Sequence, residues 1–383
     1  MKNHHQILSK LPHVGTTIFT VMSKLGTDNG AINLSQGFPS FDCSPELTSL
    51  IHQYMKKGYN QYAPMTGVPV LREKVAEKTE SLYGINYHPE EEVTITTGAT
   101  EAIFSAITTI VRPGDEVIVF EPAYDSYVPA IELNGGLPIF ITLQPPFTID
   151  WEIVKQKINP KTRLIIVNTP HNPSGSMLSR NDLNSLAELV RDTNILLVSD
   201  EVYEHITFDG HEHLSLMMHP VLRERTFICN SFGKTFHITG WKVGYCLAPK
   251  ELTKEFRKIH QFVTFSVVTP IQHALADFLN KPDHYLSLPS FYQQKRDRFL
   301  AAIRSSKFTY TPAQGSFFQI LSYPSISREN DYNLAVRLTK EIGVASIPVS
   351  AFYHQKNDYK LLRFCFAKSD EELDKAGEIL CRL

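Results

Sequence analysis

Val93-Thr94-Ile95-Thr96-Thr97-Gly98-Ala99-Thr100-Glu101 passes from a strand-like run, through a Thr-Gly turn, directly into a helical pattern that continues to Ile110. Four other stretches repeat the first half of that grammar: Glu116–Phe120, Leu164–Val167, Ile195–Ser199 and Thr226–Cys229. They lack polar alternation, as strands do when helices cover both faces. Helical segments such as Glu101–Ile110 and Asp182–Arg191 lie between them, and Asp182 is suited to cap or open its helix. Strands and helices in alternation predict an α/β protein.

Polar residues and glycine collect where these runs end. Val93–Thr96 gives way to Thr97-Gly98-Ala99-Thr100, Leu164–Val167 to Asn168-Thr169-Pro170-His171-Asn172-Pro173, and Ile195–Val198 to Ser199-Asp200-Glu201. In an open parallel sheet, ligands bind outside the carboxyl ends of the strands, so a site belongs there. Turn residues multiply near Asn280-Lys281-Pro282, which marks a domain transition. Beyond it Phe291–Ser305 reads as a helix, while Gln314–Ile320, Gly343–Pro348 and Leu361–Phe366 read as strands of a smaller α+β domain.

Composition narrows the function classes. A chain of 383 residues exceeds one ordinary core and is expected to divide. A formal net charge of −2, without a Lys/Arg-rich stripe, argues against nucleic acid as a partner. No apolar run is long enough to span a bilayer, and Met1-Lys2-Asn3-His4-His5 begins no secretory signal. The cysteines Cys43, Cys229, Cys246, Cys365 and Cys381 are scattered and lack C-x-x-C spacing, which points to reduced thiols and a cytoplasmic location. No metal is expected: His211-Glu212-His213 has Ser at 215, so it is not H-E-x-x-H. Gly233-Lys234-Thr235 ends like a P-loop, but Ile228 stands where that motif needs glycine, and no G-x-G-x-x-G opens a strand–helix unit.

The remaining chemistry gathers around Lys234, in Ser231-Phe232-Gly233-Lys234-Thr235, with Lys242 following in Gly240-Trp241-Lys242-Val243-Gly244-Tyr245. A lysine amine can hold a phosphorylated aldehyde as a Schiff base while Ser231 and Lys242 take the phosphate; otherwise it is a loop lysine. Pyridoxal phosphate makes further demands that this chain can meet. Gly98-Ala99-Thr100 offers backbone N–H groups to a phosphate, or is an ordinary glycine turn. Asp200 follows an apolar run and can face a protonated ring nitrogen, or cap a helix. Tyr203 and Asn172 can reach the ring oxygen, although Asn172 before Pro173 is also a turn residue. Tyr124 can stack on the ring or pack in the core. Arg363, bracketed by Leu361-Leu362 and Phe364-Cys365-Phe366, suits a substrate carboxylate or a structural salt bridge.

Taken in order, the motifs resemble the class I/II aminotransferases of fold type I, pyridoxal-phosphate enzymes, over almost the whole chain. The matching strings are Asn33-Leu34-Ser35-Gln36-Gly37-Phe38-Pro39, Asn60-Gln61-Tyr62, Thr97-Gly98-Ala99-Thr100-Glu101, Asn168–Pro173, Ser199-Asp200-Glu201-Val202-Tyr203, Ser231–Lys234 and Leu362-Arg363-Phe364. Gly15–Thr20, Tyr62-Ala63-Pro64-Met65-Thr66-Gly67 and Ser350-Ala351-Phe352 are similar to the methionine, kynurenine and glutamine members of that family. The resemblance implies a large cofactor-binding domain at 41–280, with a mostly parallel seven-stranded sheet between helices. It implies a small α+β domain at 281–383, and an arm at 1–40 that contributes partly to it.

It also implies roles. Lys234 would hold pyridoxal 5'-phosphate and shuttle the substrate proton, Asp200 would pair with the ring nitrogen, and Tyr203 and Asn172 would bind the ring oxygen. Tyr124 would stack on the ring, and Gly98, Ala99, Thr100, Ser231 and Lys242 would surround the phosphate. Arg363, Asn172 and the Gly37 backbone would grip the substrate carboxylate. Tyr62 would reach the phosphate of a neighbouring subunit, implying a homodimer with shared sites. Lys242 stands where several relatives carry Arg, and Tyr124 where aspartate-type relatives carry Trp.

The expectation is transfer of an amino group from an L-amino acid, methionine first, to a 2-oxo acid. Phe19, Tyr62 and Phe352 would form an aromatic wall suited to a thioether. The alternative is a kynurenine or glutamine aminotransferase with cysteine-conjugate β-lyase activity. A regulator on the same fold would need a DNA-binding module, for which the roughly thirty residues before the first motif are too few. A lyase or carbon–carbon-forming synthase would show itself by independence from an amino acceptor.

Overall fold

The apolar runs become strands because each can bury both of its faces, and the order of the strands brings their polar ends together. The computed structural model describes residues 7–383, so the Met1–His5 stretch lies outside the described residues. In chain order the strands are β1 (Ile32–Asn33), β2 (Val93–Thr96), β3 (Glu116–Glu121), β4 (Leu137–Thr142), β5 (Thr162–Asn168) and β6 (Leu196–Asp200). They continue as β7 (Thr226–Ser231), β8 (Gly244–Leu247), β9 (Phe318–Ser322), β10 (Val344–Ala345), β11 (Ile347–Pro348) and β12 (Leu361–Cys365). A seven-stranded sheet has the order β2-β8-β7-β6-β5-β3-β4, and β8 runs antiparallel to both its neighbours while the other pairs are parallel. The α/β reading with a mostly parallel sheet therefore holds.

Alternate residues of the central strands enter opposite cores. Val117, Val119, Leu164, Ile166 and Val198 pack with Ala102, Ile103 and Ala106 of the helix Gly98–Ile110. Ile118, Phe120, Ile165, Val167 and Leu197 face Leu183, Leu186 and Val190 of the helix Arg180–Val190. That helix begins at Arg180 with a capping box in which Ser179 is the cap and Asp182 the reciprocal acceptor, so Asp182 is the third helical residue and neither caps nor opens the helix.

Two strands of the carboxyl-terminal part differ from their expected extents. The strand expected from Gln314 starts only at Phe318, because the Gln314–Ser316 backbone bonds instead to Gly175, Ile206 and Phe208. A Cβ on Gly315 would lie 2.7 Å from Pro170 Cβ, and Ser316 takes a positive φ of 64°. Gly343–Pro348 splits into β10 and β11, which join different sheets. β10 pairs in parallel with β1, while β11, β12 and β9 form an antiparallel sheet. The amino-terminal segment thus packs on the carboxyl-terminal part, with the Cys365 N–H donating to Leu34 O at 2.7 Å.

Beneath the turn after β6 lies a buried ion pair. Lys78, on the helix Pro69–Tyr83, meets Glu204 where both side chains are about 5 % exposed or less. Tyr83 and Tyr245 hydroxyls donate to the same carboxylate at 2.9 and 2.8 Å. Burial pushes the Glu204 carboxyl up, but the Lys78 ammonium and His205 override it and hold it well below the usual range. Lys78→Met strands that carboxylate without a counter-ion and is expected to cost about 3–5 kcal/mol in urea unfolding. Adding Glu204→Leu should restore most of the loss; a single-variant cost below about 1 kcal/mol would show the pair to be dispensable.

Candidate active site

Two neighbouring strands, β5 and β6, end at one level while β7 runs two residues further to Ser231, and the site is built on that step. Asn168 of β5 stands in register with Asp200 of β6, and Asp200 with Cys229 of β7. Above them opens a cavity of about 340 Å³. Its lining includes Phe19, Gly37, Ala99, Thr100, Tyr124, Asn172, Asp200, Tyr203, Ser231, Lys234, Lys242 and Arg363. Residues chosen from segments hundreds of positions apart therefore meet around one space.

Asp200 is buried, and burial pushes its carboxyl up to about 6 against hydrogen bonds from the Tyr127 hydroxyl and the Val202 N–H. The Tyr127 hydroxyl donates to Asp200 Oδ2 at 2.6 Å. Lys234 is half-buried, and its Nζ donates to Gly37 O at 2.8 Å. Desolvation, with Arg363 and Lys242 nearby, brings its ammonium down to about 8. The Lys234 Nζ stands 5.8 Å from the Tyr203 ring centre and 5.2 Å from that of Phe317. Tyr124 is pushed up to about 12, first by burial and then by nearby carboxylates.

Arg363 lies on β12 and is 1 % exposed. Its Nη1 donates to Asn172 Oδ1 at 3.0 Å and its Nη2 to Ser35 O at 2.7 Å, while Nε is buried without a partner. The guanidinium sits 3.9 Å from the Phe318 ring centre, with Phe19 and Phe352 at 5.2 and 5.3 Å. Among the described residues Arg363 takes part in no salt bridge, so the structural-pair reading of this arginine fails. Burial lowers its pKa to about 10.

The cavity also fits a phosphorylated ring. The helix Gly98–Ile110 starts without a side-chain cap, which leaves its first N–H groups to an anion. Gly98 has φ +72°, and a Cβ there would come within 3.4 Å of Lys242 Nζ. Lys242 itself takes the left-handed conformation, with φ 54° and ψ 52°, beside that helix start. Ala99, Thr100, Ser231 and Lys242 line one cavity, a donor set suited to phosphate. Asp200, Tyr203 and Asn172 supply polar groups for a pyridine ring in the same space.

Residues 29–380 match the family described as aminotransferase class I and II. The chain belongs to the class I and II aminotransferases. It is 50 % identical to the methionine aminotransferase of Escherichia coli (strain K12), covering 98 % of each chain. A solved Escherichia coli structure, described as identifying a methionine aminotransferase function, matches with a TM-score of 0.97 and 49 % identity, covering 99 % of this chain and 100 % of that one. The kynurenine–oxoglutarate transaminase of Dictyostelium discoideum is 36 % identical, covering 96 % of this chain and 94 % of the other. This aminotransferase has the fold type I architecture of its structural neighbours.

Three expected residues stand apart from the cavity lining, Gly98 among them at the helix start beside Lys242. Phe352 is buried behind Phe19, with ring centres 5.8 Å apart, and backs the wall rather than lining it. Tyr62 is 81 % exposed and packs edge-on against Phe265, outside the cleft of its own chain, so it forms no part of the expected aromatic wall there. His213, from the rejected metal motif, hydrogen-bonds Glu201 at 2.9 Å. Sequence reasoning missed Tyr127, Asn168, Phe318, Thr239 and Gln36. Gln36 and Asn168 carried a signal, since both fall inside the quoted motifs.

The Lys234 shift sets a testable sign. Between pH 8 and 10.5 the folded chain without cofactor binds fewer protons here than the unfolded chain, so its stability rises with pH through that window. Lys234→Met is expected to stabilise the cofactor-free protein by roughly 1–3 kcal/mol at pH 7, a gain that fades toward pH 10.5. Urea unfolding at pH 7 and pH 10 reads it directly.

Proposed function

We propose that this aminotransferase binds pyridoxal 5'-phosphate through Lys234 and transfers the amino group of an L-amino acid, methionine first, to a 2-oxo acid. The observation that carries the reading is Arg363, a buried guanidinium without an internal carboxylate, facing the same cavity as Lys234 and Asp200. Bound there, the cofactor supplies an electron sink for the electrons left at the substrate Cα when its proton departs. Asp200 pairs with the ring nitrogen, Tyr203 and Asn172 hold the ring oxygen, and Tyr124 covers a ring face. The N–H groups of Gly98, Ala99 and Thr100, with Ser231 and Lys242, hold the phosphate.

Arg363 and Asn172 orient the substrate by its carboxylate, with the Gly37 backbone beside them. Lys234 would take the Cα proton and hold it on Nζ for its return. A desolvated amine that titrates near 8 suits both directions near neutral pH. After the first oxo acid leaves, Arg363 grips the second by the same group, which is the ping-pong course.

Methionine is supported by the similarity to the Escherichia coli methionine aminotransferase and by the Phe19 ring in the cavity lining, backed by Phe352, against which a thioether packs well. The lining cations are Lys234, Lys242 and Arg363, and each already has a task, so none serves a second carboxylate. The kynurenine and glutamine reading, with β-lyase activity, draws on the Dictyostelium relative. The division at 41–280 and 281–383 and a cytoplasmic location belong to the same proposal, the latter supported by cysteines that are free.

Absorbance of the purified protein tests the reading. Excess L-methionine without oxo acid should convert the bound chromophore to its amine form, whereas a response to kynurenine or glutamine alone moves the donor to the second reading. Arg363→Lys keeps the chromophore but should lose about 100-fold in kcat/KM for methionine, close to 3 kcal/mol. A protein with no chromophore after addition of pyridoxal phosphate overturns the proposal.

A homodimer is part of it. Tyr62, Phe262 and Phe265 are 81 %, 85 % and 53 % exposed, an aromatic patch that a second copy would cover, carrying Tyr62 into that copy's cleft. Sedimentation equilibrium should give twice 43.5 kDa, and a monomer at micromolar concentration would refute it.

A further inference from the structure

We propose that Tyr127 is a positioning residue for Asp200, holding one carboxylate oxygen so that the other remains charged and free to pair with the ring nitrogen. The inference rests on the pyridoxal phosphate reading above. Tyr127 opens the helix Tyr127–Leu133, and its ring is 3 % exposed among Ala130, Ile131, Leu164 and Ile166. In those apolar surroundings its hydroxyl has one partner, Asp200 Oδ2 at 2.6 Å. Oδ1 receives only a long contact from the Val202 N–H at 3.4 Å and is left for a ligand. The Tyr127 ring also meets Tyr124 edge-on, with centres 5.9 Å apart and planes at 72°, so one side chain sets both the carboxylate and the stacking ring.

The charge of Asp200 is finely poised. The groups that bear on it are Lys234, Glu201, Tyr124, Tyr127, Tyr203 and Cys229. Burial favours the neutral acid, which cannot hold a proton on the ring nitrogen. A phenol that donates to the carboxylate favours the ion. Tyr127 occupies Oδ2, so the contact also fixes Oδ1 as the oxygen that stays free.

The test uses the holoenzyme loaded with pyridoxal phosphate labelled with ¹⁵N in the ring. In Tyr127→Phe the ¹⁵N resonance should move toward the unprotonated position at pH 7, and the acid limb of kcat/KM should rise by about one pH unit. Site-specific 3-fluorotyrosine at 127 is a stronger donor and should move that limb the other way, a response that a merely structural role would not give. Bound chromophore with unmoved resonance and acid limb in both variants overturns the inference while leaving the cofactor reading intact. Loss of chromophore binding in Tyr127→Phe, with an unchanged melting curve, supports the role. A wild-type protein that binds no chromophore overturns the cofactor reading and this inference with it.

Discussion

A guanidinium sealed in an apolar seam without a carboxylate sets the terms for the rest of the cleft. Arg363 is almost wholly buried, its Nε has no partner, and its remaining bonds go to neutral oxygens of Ser35 and Asn172. Such a charge is destabilising unless dipoles and rings are arranged around it. The Phe318 ring centre lies 3.9 Å from it, and Phe19 and Phe352 stand at 5.2 and 5.3 Å. Asp125 bears on that charge from a distance without bonding to it, and the arrangement leaves positive potential for an incoming anion to answer.

That arginine is tied to the floor of the cleft by a continuous chain of hydrogen bonds. Arg363 donates to Asn172 Oδ1, the Asn172 N–H donates to Asn168 Oδ1, and Asn168 Nδ2 donates to Asp200 O. The end of the cleft around Arg363 is therefore mechanically continuous with the end around Asp200. Underneath, Glu204 anchors the turn carrying Tyr203 to Lys78 on a separate helix. Rigid support of this kind holds side chains in place before any ligand arrives, which is where an active site gains most.

The parts of this architecture that repeat a local rule were legible in the chain. Strands covered on both faces read as unbroken apolar runs, and the turns after them carried Gly98, Asn172, Asp200 and Lys234. β4 escaped that reading because it is an edge strand containing Pro138, with Leu137 and Thr142 exposed. β8 escaped it because four residues, Gly244 to Leu247, follow directly on a turn that reads as a phosphate loop. The seven-stranded count came from the resemblance alone. Tyr127 and Phe318 are of another kind, since each acts through a partner far away in sequence. Phe318 meets Arg363 only because Ile320 pairs with Arg363 across two antiparallel strands, a register no local pattern encodes.

One desolvated space acts on three charges in a consistent direction. It moves Asp200 up to about 6, Lys234 down to about 8 and Arg363 down to about 10, each toward its neutral form. Without a ligand, then, the cleft holds its charges under strain. A zwitterionic cofactor would relieve it at two points, with a ring cation beside Asp200 and an anion at the Gly98 helix start and Lys242. A substrate carboxylate would relieve it at Arg363. Each relief acts at a different point of the cleft. Lys234 is the exception, since its nearest oxygen, Gly37 O at 2.8 Å, belongs to the segment beside the carboxylate grip. Its Nζ is held by a single neutral acceptor, a weak hold that would suit an amine required to exchange partners.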